Sequence, residues 1–221
     1  MARFSSRLRA GIAGAVLYGA VAAGAPAFAA EGVPSLWGTV AFEKDNLAPF
    51  PKWTEALDRF KEEAKKYGGD CKVTAEDKCH YKTWTTFLSK VKNEPDLVKL
   101  EQVNAFMNQA KYVVDEINWS VKDYWATPGQ FFSRFGDCED YAVAKFMSLA
   151  ALGYDRSKMK IVVLQDLNLK VPHAVLAVEL DGKTLILDNQ IKQVIDADRI
   201  RHYRPVYSVN EKAWWLHKQA G

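Results

Sequence analysis

The sequence predicts an α+β fold, with N-terminal helices followed by an antiparallel sheet. Apolar residues recur at helical spacing as far as Gly153, and beyond it the period changes to two. Asp181-Gly182 then separates two alternating runs as a two-residue hairpin turn.

The elements follow in order. Pro51 suits the first turn of a helix, and Trp53, Ala56, Leu57, Phe60, Ala64 and Tyr67 form its apolar stripe up to the stop at Gly68-Gly69. A second helix spans Tyr81 to Val91 around Trp84, Phe87 and Leu88. Pro95 opens a third, with Leu97, Val98, Val103, Phe106, Met107, Ala110, Val113 and Val114 on its apolar side. Asn118 to Gln130, with the break at Thr127-Pro128-Gly129, reads as irregular. The next helix starts at Gly136-Asp137-Cys138-Glu139-Asp140, where Asp137 is a good N-cap and the two following acids suit the first turn. Strands are expected at Ile161 to Gln165, His173 to Leu180, Thr184 to Asp188 and Val206 to Val209.

Composition narrows the function. Of the 221 residues, 48% are hydrophobic and 26% charged, which excludes a disordered tail, a collagen-like repeat and a polytopic membrane protein. The net charge of +3 resides in Arg3, Arg7 and Arg9: removing these three from 30 leaves 27 basic residues against 27 acidic ones. Without them no basic field remains to attract nucleic acid. The same arginines form the n-region of a secretory signal over residues 1–29. Gly11 to Ala25 is its apolar stretch, and Ala27-Phe28-Ala29 its cleavage site. At about 15 residues that stretch is short for a span needing ~20, which argues against an uncleaved anchor. The mature chain, from Ala30 or Glu31, is expected in the periplasm, with no membrane span. It divides into an N-terminal helical part (30–112) and a core (113–221).

Export matters for the cysteines, because thiols tend to pair in an oxidising compartment. A disulfide between Cys71 and Cys79 would close a small polar loop, leaving Cys138 as a reactive thiol, an intermolecular partner or an inert buried group. Its neighbours favour the first. Cys138 lies at the positive end of a helix dipole, which favours the thiolate. His173 begins a strand and Asp188 ends the next. With Asp181-Gly182 as the loop, Leu180 pairs with Lys183, so Asp188 lies diagonal to His173 on the same face, ~7–8 Å away at the backbone. A carboxylate there can orient the imidazole, giving nucleophile, base and orienter for acyl transfer. A structural His–Asp pair beside an inert cysteine is the plainer alternative.

Gly136-Asp137-Cys138-Glu139-Asp140-Tyr141-Ala142, preceded by Asp123-Tyr124-Trp125-Ala126-Thr127-Pro128, resembles the bacterial transglutaminase-like cysteine proteinases. So do Pro172-His173-Ala174-Val175-Leu176 and Leu187-Asp188-Asn189. The resemblance implies a papain-like fold in its transglutaminase variant, with Cys138, His173 and Asp188 as the triad. It also implies a calcium-dependent thiol protease that cuts a large surface adhesin near its N-terminus, at a di-alanine site, and so releases biofilm cells. An inner-membrane receptor for cyclic di-GMP is the implied sequestering partner. Asp137, Glu139 and Asp140 offer three hard oxygen ligands for Ca²⁺, which needs six to eight, although capping and dipole compensation explain part of the pattern without metal. A transglutaminase, or a non-catalytic calcium-ordered binding module on the same scaffold, remains an alternative.

Overall fold

The computed structural model describes residues 32–67 and 80–220. The expected signal segment and the Cys71–Cys79 pair lie outside them. Among the described residues no helix is long and apolar enough to cross a membrane.

The chain runs β1 (Val33–Pro34), β2 (Thr39–Lys44), α1 (Pro51–Tyr67), α2 (His80–Val91), α3 (Asp96–Met107), α4 (Asp115–Asn118), α5 (Pro128–Arg134) and α6 (Cys138–Ala151). Then follow β3 (Met159–Asp166), β4 (Val171–Leu180), β5 (Lys183–Leu187), β6 (Ile195–Asp196), β7 (Tyr203–Val209) and β8 (Trp214–Gln219). The strands form one sheet in the order β1-β2-β8-β7-β3-β4-β5-β6. Every paired neighbour is antiparallel.

α6 is the central element. Asp140 to Ala150 are buried without interruption, as befits a helix covered on all sides. It packs against β4, α3 and α5. Alternation along each strand then sorts side chains between two layers. Met159, Ile161, Leu176, Val178 and Leu187 face the helices, together with Trp53, Trp84, Leu100, Phe131 and Phe146. Val162, Leu164, Val175, Ala177 and Ile186 face the other way, under Ile200, Tyr203, Leu36 and Trp37.

Three expectations need correction. The third helix ends at Met107 instead of running on to Val114. Beyond it Tyr112 forms a parallel bridge with Gly136, and the Val113 N–H donates to the Gly136 carbonyl at 2.9 Å. That apolar run therefore flanks the loop that carries Cys138. Thr127-Pro128-Gly129 is not a break but the start of α5: Thr127 and Gln130 form a reciprocal capping box and Pro128 sits at the first helical position. The sheet also gains β2 and β8, which the alternation did not reveal. These strands pair with each other across almost the whole described chain, Thr39 opposite Gln219 and Lys44 opposite Trp214.

Candidate active site

Asp137 leaves helical geometry and caps α6, which places Cys138 at its first position. There the Cys138 N–H is one of the donors a helix cannot satisfy internally. Asp140 folds back under this turn. Its Oδ2 accepts from the Asp137 N–H at 3.3 Å and its Oδ1 from the Ala126 N–H at 2.6 Å. Gly136 leaves room for that carboxylate, since a Cβ at residue 136 would stand 2.1 Å from Asp140 Oδ2.

The β4–β5 hairpin pairs Leu180 with Lys183 and Leu176 with Leu187, so the register that the turn residues imply is the register formed. His173 Nε2 lies 3.0 Å from Asp188 Oδ1. His173 is 2% exposed and Asp188 is fully buried. Asp188 also accepts from the Gln190 N–H at 2.8 Å and from the Tyr203 hydroxyl at 2.5 Å. Burial pushes its pKa up, but the His173 hydrogen bond and charge, with Tyr203 and Gln190, outweigh that and hold it below the ordinary value. A carboxylate only accepts, so Nε2 carries a proton, and in the neutral ring Nδ1 presents a lone pair. The Gln190 amide nitrogen stands 3.5 Å from that Nδ1.

Cys138 is a free thiol, and its sulfur reaches toward the Ala174 N–H, next to His173 on β4. The structure thus brings helix start, strand and hairpin end together at one spot. The thiol donates to Glu139 Oε2 at 3.0 Å. Burial, then the Glu139 charge, raises its pKa far above that of a free thiol, so with these acids alone around it the sulfur stays protonated.

Asp137, Glu139 and Asp140 are joined by two acids the sequence reading missed. Ligand oxygens of Asp115, Asp123 and Glu139 lie within 4.8 Å of one another, and so do those of Asp115, Asp137 and Asp140. Asp115 Oδ2 accepts from the Tyr124 N–H, whereas Asp115 Oδ1 and Asp137 Oδ1 are buried without a hydrogen-bond partner. Burial first, then mutual repulsion, raises Asp115 to about 6 and Asp137 to about 8. Asp123 pairs with Lys52 at the rim. An all-oxygen set with two unpartnered buried carboxylate oxygens fits a hard divalent cation such as Ca²⁺. The signal for Asp123 was the Asp123-Tyr124-Trp125 motif itself. Nothing local marks Asp115, Gln190 or Tyr203.

Two further histidines are held by partners of their own, His217 within the sheet and His202 against Tyr203. His217 is buried between Thr39 Oγ1 at 3.2 Å and Ser208 Oγ at 3.0 Å. The His202 ring packs edge-on against Tyr203.

A free thiol at a helix start, beside a buried His–Asp pair on an antiparallel sheet, defines the class as a cysteine peptidase of transglutaminase-like fold. The sequence profile of the bacterial transglutaminase-like cysteine proteinases matches residues 61–219, and the chain belongs to that family. Among solved structures, LapG of Legionella pneumophila is 29% identical, with a TM-score of 0.59 over 73% of this chain and 87% of that one. The calcium-bound form of that LapG gives 30% identity and a TM-score of 0.58 over 73% and 87% of the two chains. Its EGTA-treated form gives 30% and 0.59 over 74% and 86%. No curated protein matches the chain.

Proposed function

We propose that this peptidase is an exported, calcium-dependent endopeptidase that cuts a large cell-surface adhesin near its N-terminus, at a di-alanine site, and so releases biofilm cells. In this reading an inner-membrane receptor for cyclic di-GMP sequesters it. The observation that carries the catalytic part is the hydrogen-bonded His173–Asp188 pair, on the strand whose Ala174 N–H faces the thiol of Cys138.

Cys138 gives its proton to His173 Nδ1, and the thiolate attacks the scissile carbonyl. The Cys138 N–H, at the helix start beside the Tyr112 hydroxyl, would donate to the developing oxyanion. Collapse expels the amine, which takes the proton from His173 and leaves a thioester. His173 then deprotonates water, water attacks the thioester, and the acid leaves with the thiol restored. Asp188 holds the ring tautomer throughout and stabilises the imidazolium. Asp115, Asp123, Asp137, Glu139 and Asp140 would hold Ca²⁺. Bound there, Ca²⁺ supplies positive charge that cancels the carboxylates' opposition to a thiolate.

The test incubates the purified protein with a recombinant adhesin N-terminal fragment containing a di-alanine site. Two products by mass spectrometry, lost in Cys138→Ala and lost reversibly in chelator, are expected. An intact fragment in the presence of Ca²⁺, or equal cleavage by Cys138→Ala, overturns the reading.

A further inference from the structure

Calcium affinity depends on how far the ligand oxygens are set before the ion arrives, because ordering a loop at the moment of binding costs free energy. Three of the five candidate carboxylates sit on or against one short stretch, residues 123–127. Asp123 belongs to it, the Tyr124 N–H donates to Asp115 Oδ2, and the Ala126 N–H donates to Asp140 Oδ1 at 2.6 Å. The stretch lies between α4 and α5 in neither helix nor strand, so no ladder of its own holds its backbone. It must be fixed from outside.

α1 supplies the fixing groups. Arg59 and Glu63 stand four residues apart, on one face of that helix. Arg59 Nη2 donates to the Trp125 carbonyl at 2.7 Å, and its guanidinium lies 4.5 Å over the Tyr124 ring. Glu63 Oε1 accepts from the Thr127 hydroxyl at 2.7 Å, and its Oε2 from the Gly129 N–H at 3.3 Å. Gly129 makes the approach possible, since a Cβ at residue 129 would stand 2.7 Å from the Glu63 carboxyl carbon. Thr127 already caps α5 in its box with Gln130, so Glu63 is not needed to start that helix. Its carboxylate instead ties the far end of the stretch to α1, as Arg59 ties the middle.

We propose that Arg59 and Glu63 are positioning residues for the calcium site: from α1 they hold residues 123–127 in the form that presents Asp123, and the N–H groups of Tyr124 and Ala126, to the acids around Cys138. The proposal rests on the reading of Asp115, Asp123, Asp137, Glu139 and Asp140 as calcium ligands. Both residues act through the loop. Arg59 fixes the carbonyl of Trp125, whose neighbours on either side carry the two N–H donors, and Glu63 fixes the residue that follows Ala126. The same contacts lead on to the thiol, because Asp140 joins the Ala126 N–H to the Asp137 N–H at the start of α6.

The experiment titrates Ca²⁺ into the purified, chelator-stripped protein by isothermal calorimetry. It compares wild type, Arg59→Met and Glu63→Gln, each checked for folding by its Tm in chelator. Kd should rise about 10- to 100-fold in both variants, as when other outer partners of metal ligands are removed. The Ca²⁺ concentration for half-maximal cleavage of the adhesin fragment should rise by the same factor, while kcat in saturating Ca²⁺ holds. Glu62→Gln, an exposed neighbour with the same change of charge, should leave Kd unchanged. Arg59→Met separates position from charge: by charge alone, loss of a cation favours Ca²⁺ binding, so weaker binding there reports the lost hold on the loop. An unchanged or lower Kd in folded Arg59→Met overturns the proposal. Where that variant does not fold, Arg59→Gln takes its place with the same expected rise. Absence of binding by wild type overturns the calcium reading and this proposal with it, whereas wild-type binding with unchanged variants overturns this proposal alone.

Discussion

At the scale of single residues, the proposed chemistry depends on how Asp188 is kept anionic inside the protein. It accepts three hydrogen bonds, from His173, Tyr203 and Gln190. Asp188→Asn keeps the shape but offers the imidazole an amide, which favours the wrong tautomer. Its kcat on the adhesin fragment should drop by on the order of 10⁴. Tyr203→Phe removes one donor from a charged acceptor, a change of about 1.5–3 kcal/mol, to be read from urea unfolding. The sign with pH follows from the lowered pKa of Asp188. Its contribution is present above the ordinary carboxyl value and is lost as pH falls through the folded one. In Tyr203→Phe the loss should be smaller and complete at a higher pH.

The elements explain why the thiol sits where it does. The first turn of α6 is clamped by Asp140, which reaches back to the Asp137 and Ala126 N–H groups. Gly136 serves this contact through its missing side chain. Gly136→Ala would press a methyl against Asp140 Oδ2 and Cβ, at 2.1 and 2.6 Å, so the turn must shift. The expected cost is ~1–3 kcal/mol, as for other overpacked sites, measured by calorimetry. Because the shifted turn carries Cys138, activity at a temperature where the variant is folded should fall as well. A variant with wild-type stability and turnover would mean that the turn yields without strain.

For the whole molecule, two groups of opposite behaviour divide the pH range. His217 ties β8 to Thr39 of β2 and Ser208 of β7, and burial lowers its pKa to about 4. A neutral histidine is thus built into the sheet. Its contribution is complete above the ordinary value of 6.5 and is lost as pH falls toward about 4. His217→Gln should flatten Tm against pH in that window. Asp115 and Asp137 behave in the opposite way, with pKa values raised to about 6 and about 8. In chelator, Tm should therefore fall as pH rises through that range, because carboxylates that repel one another become charged. Ca²⁺ should remove this slope and raise Tm, by about 2.7 kcal/mol of stability at 100-fold excess over Kd. Equal Tm curves with Ca²⁺ and with chelator would leave the acids as caps of α6 alone.

The sequence by itself determined what local rules govern. Helical spacing located α1, α2 and α6, because each has an apolar face and a stop or cap within one stretch of chain. Asp181-Gly182, both at positive φ, set the hairpin turn, and one turn fixes the register of both strands. The His173–Asp188 contact was therefore legible before any coordinates, and so were the acids beside Cys138. Tertiary structure decided the rest. Tyr203 reaches Asp188 only because β7 joins β3 across the sheet, and Asp115 meets Asp137 only because the chain after α3 turns alongside Gly136. The pairing of β2 with β8 leaves no periodic trace that names its partner. Local patterns encode backbone geometry, whereas the field at a buried carboxylate is the sum over groups that meet only when the chain has folded.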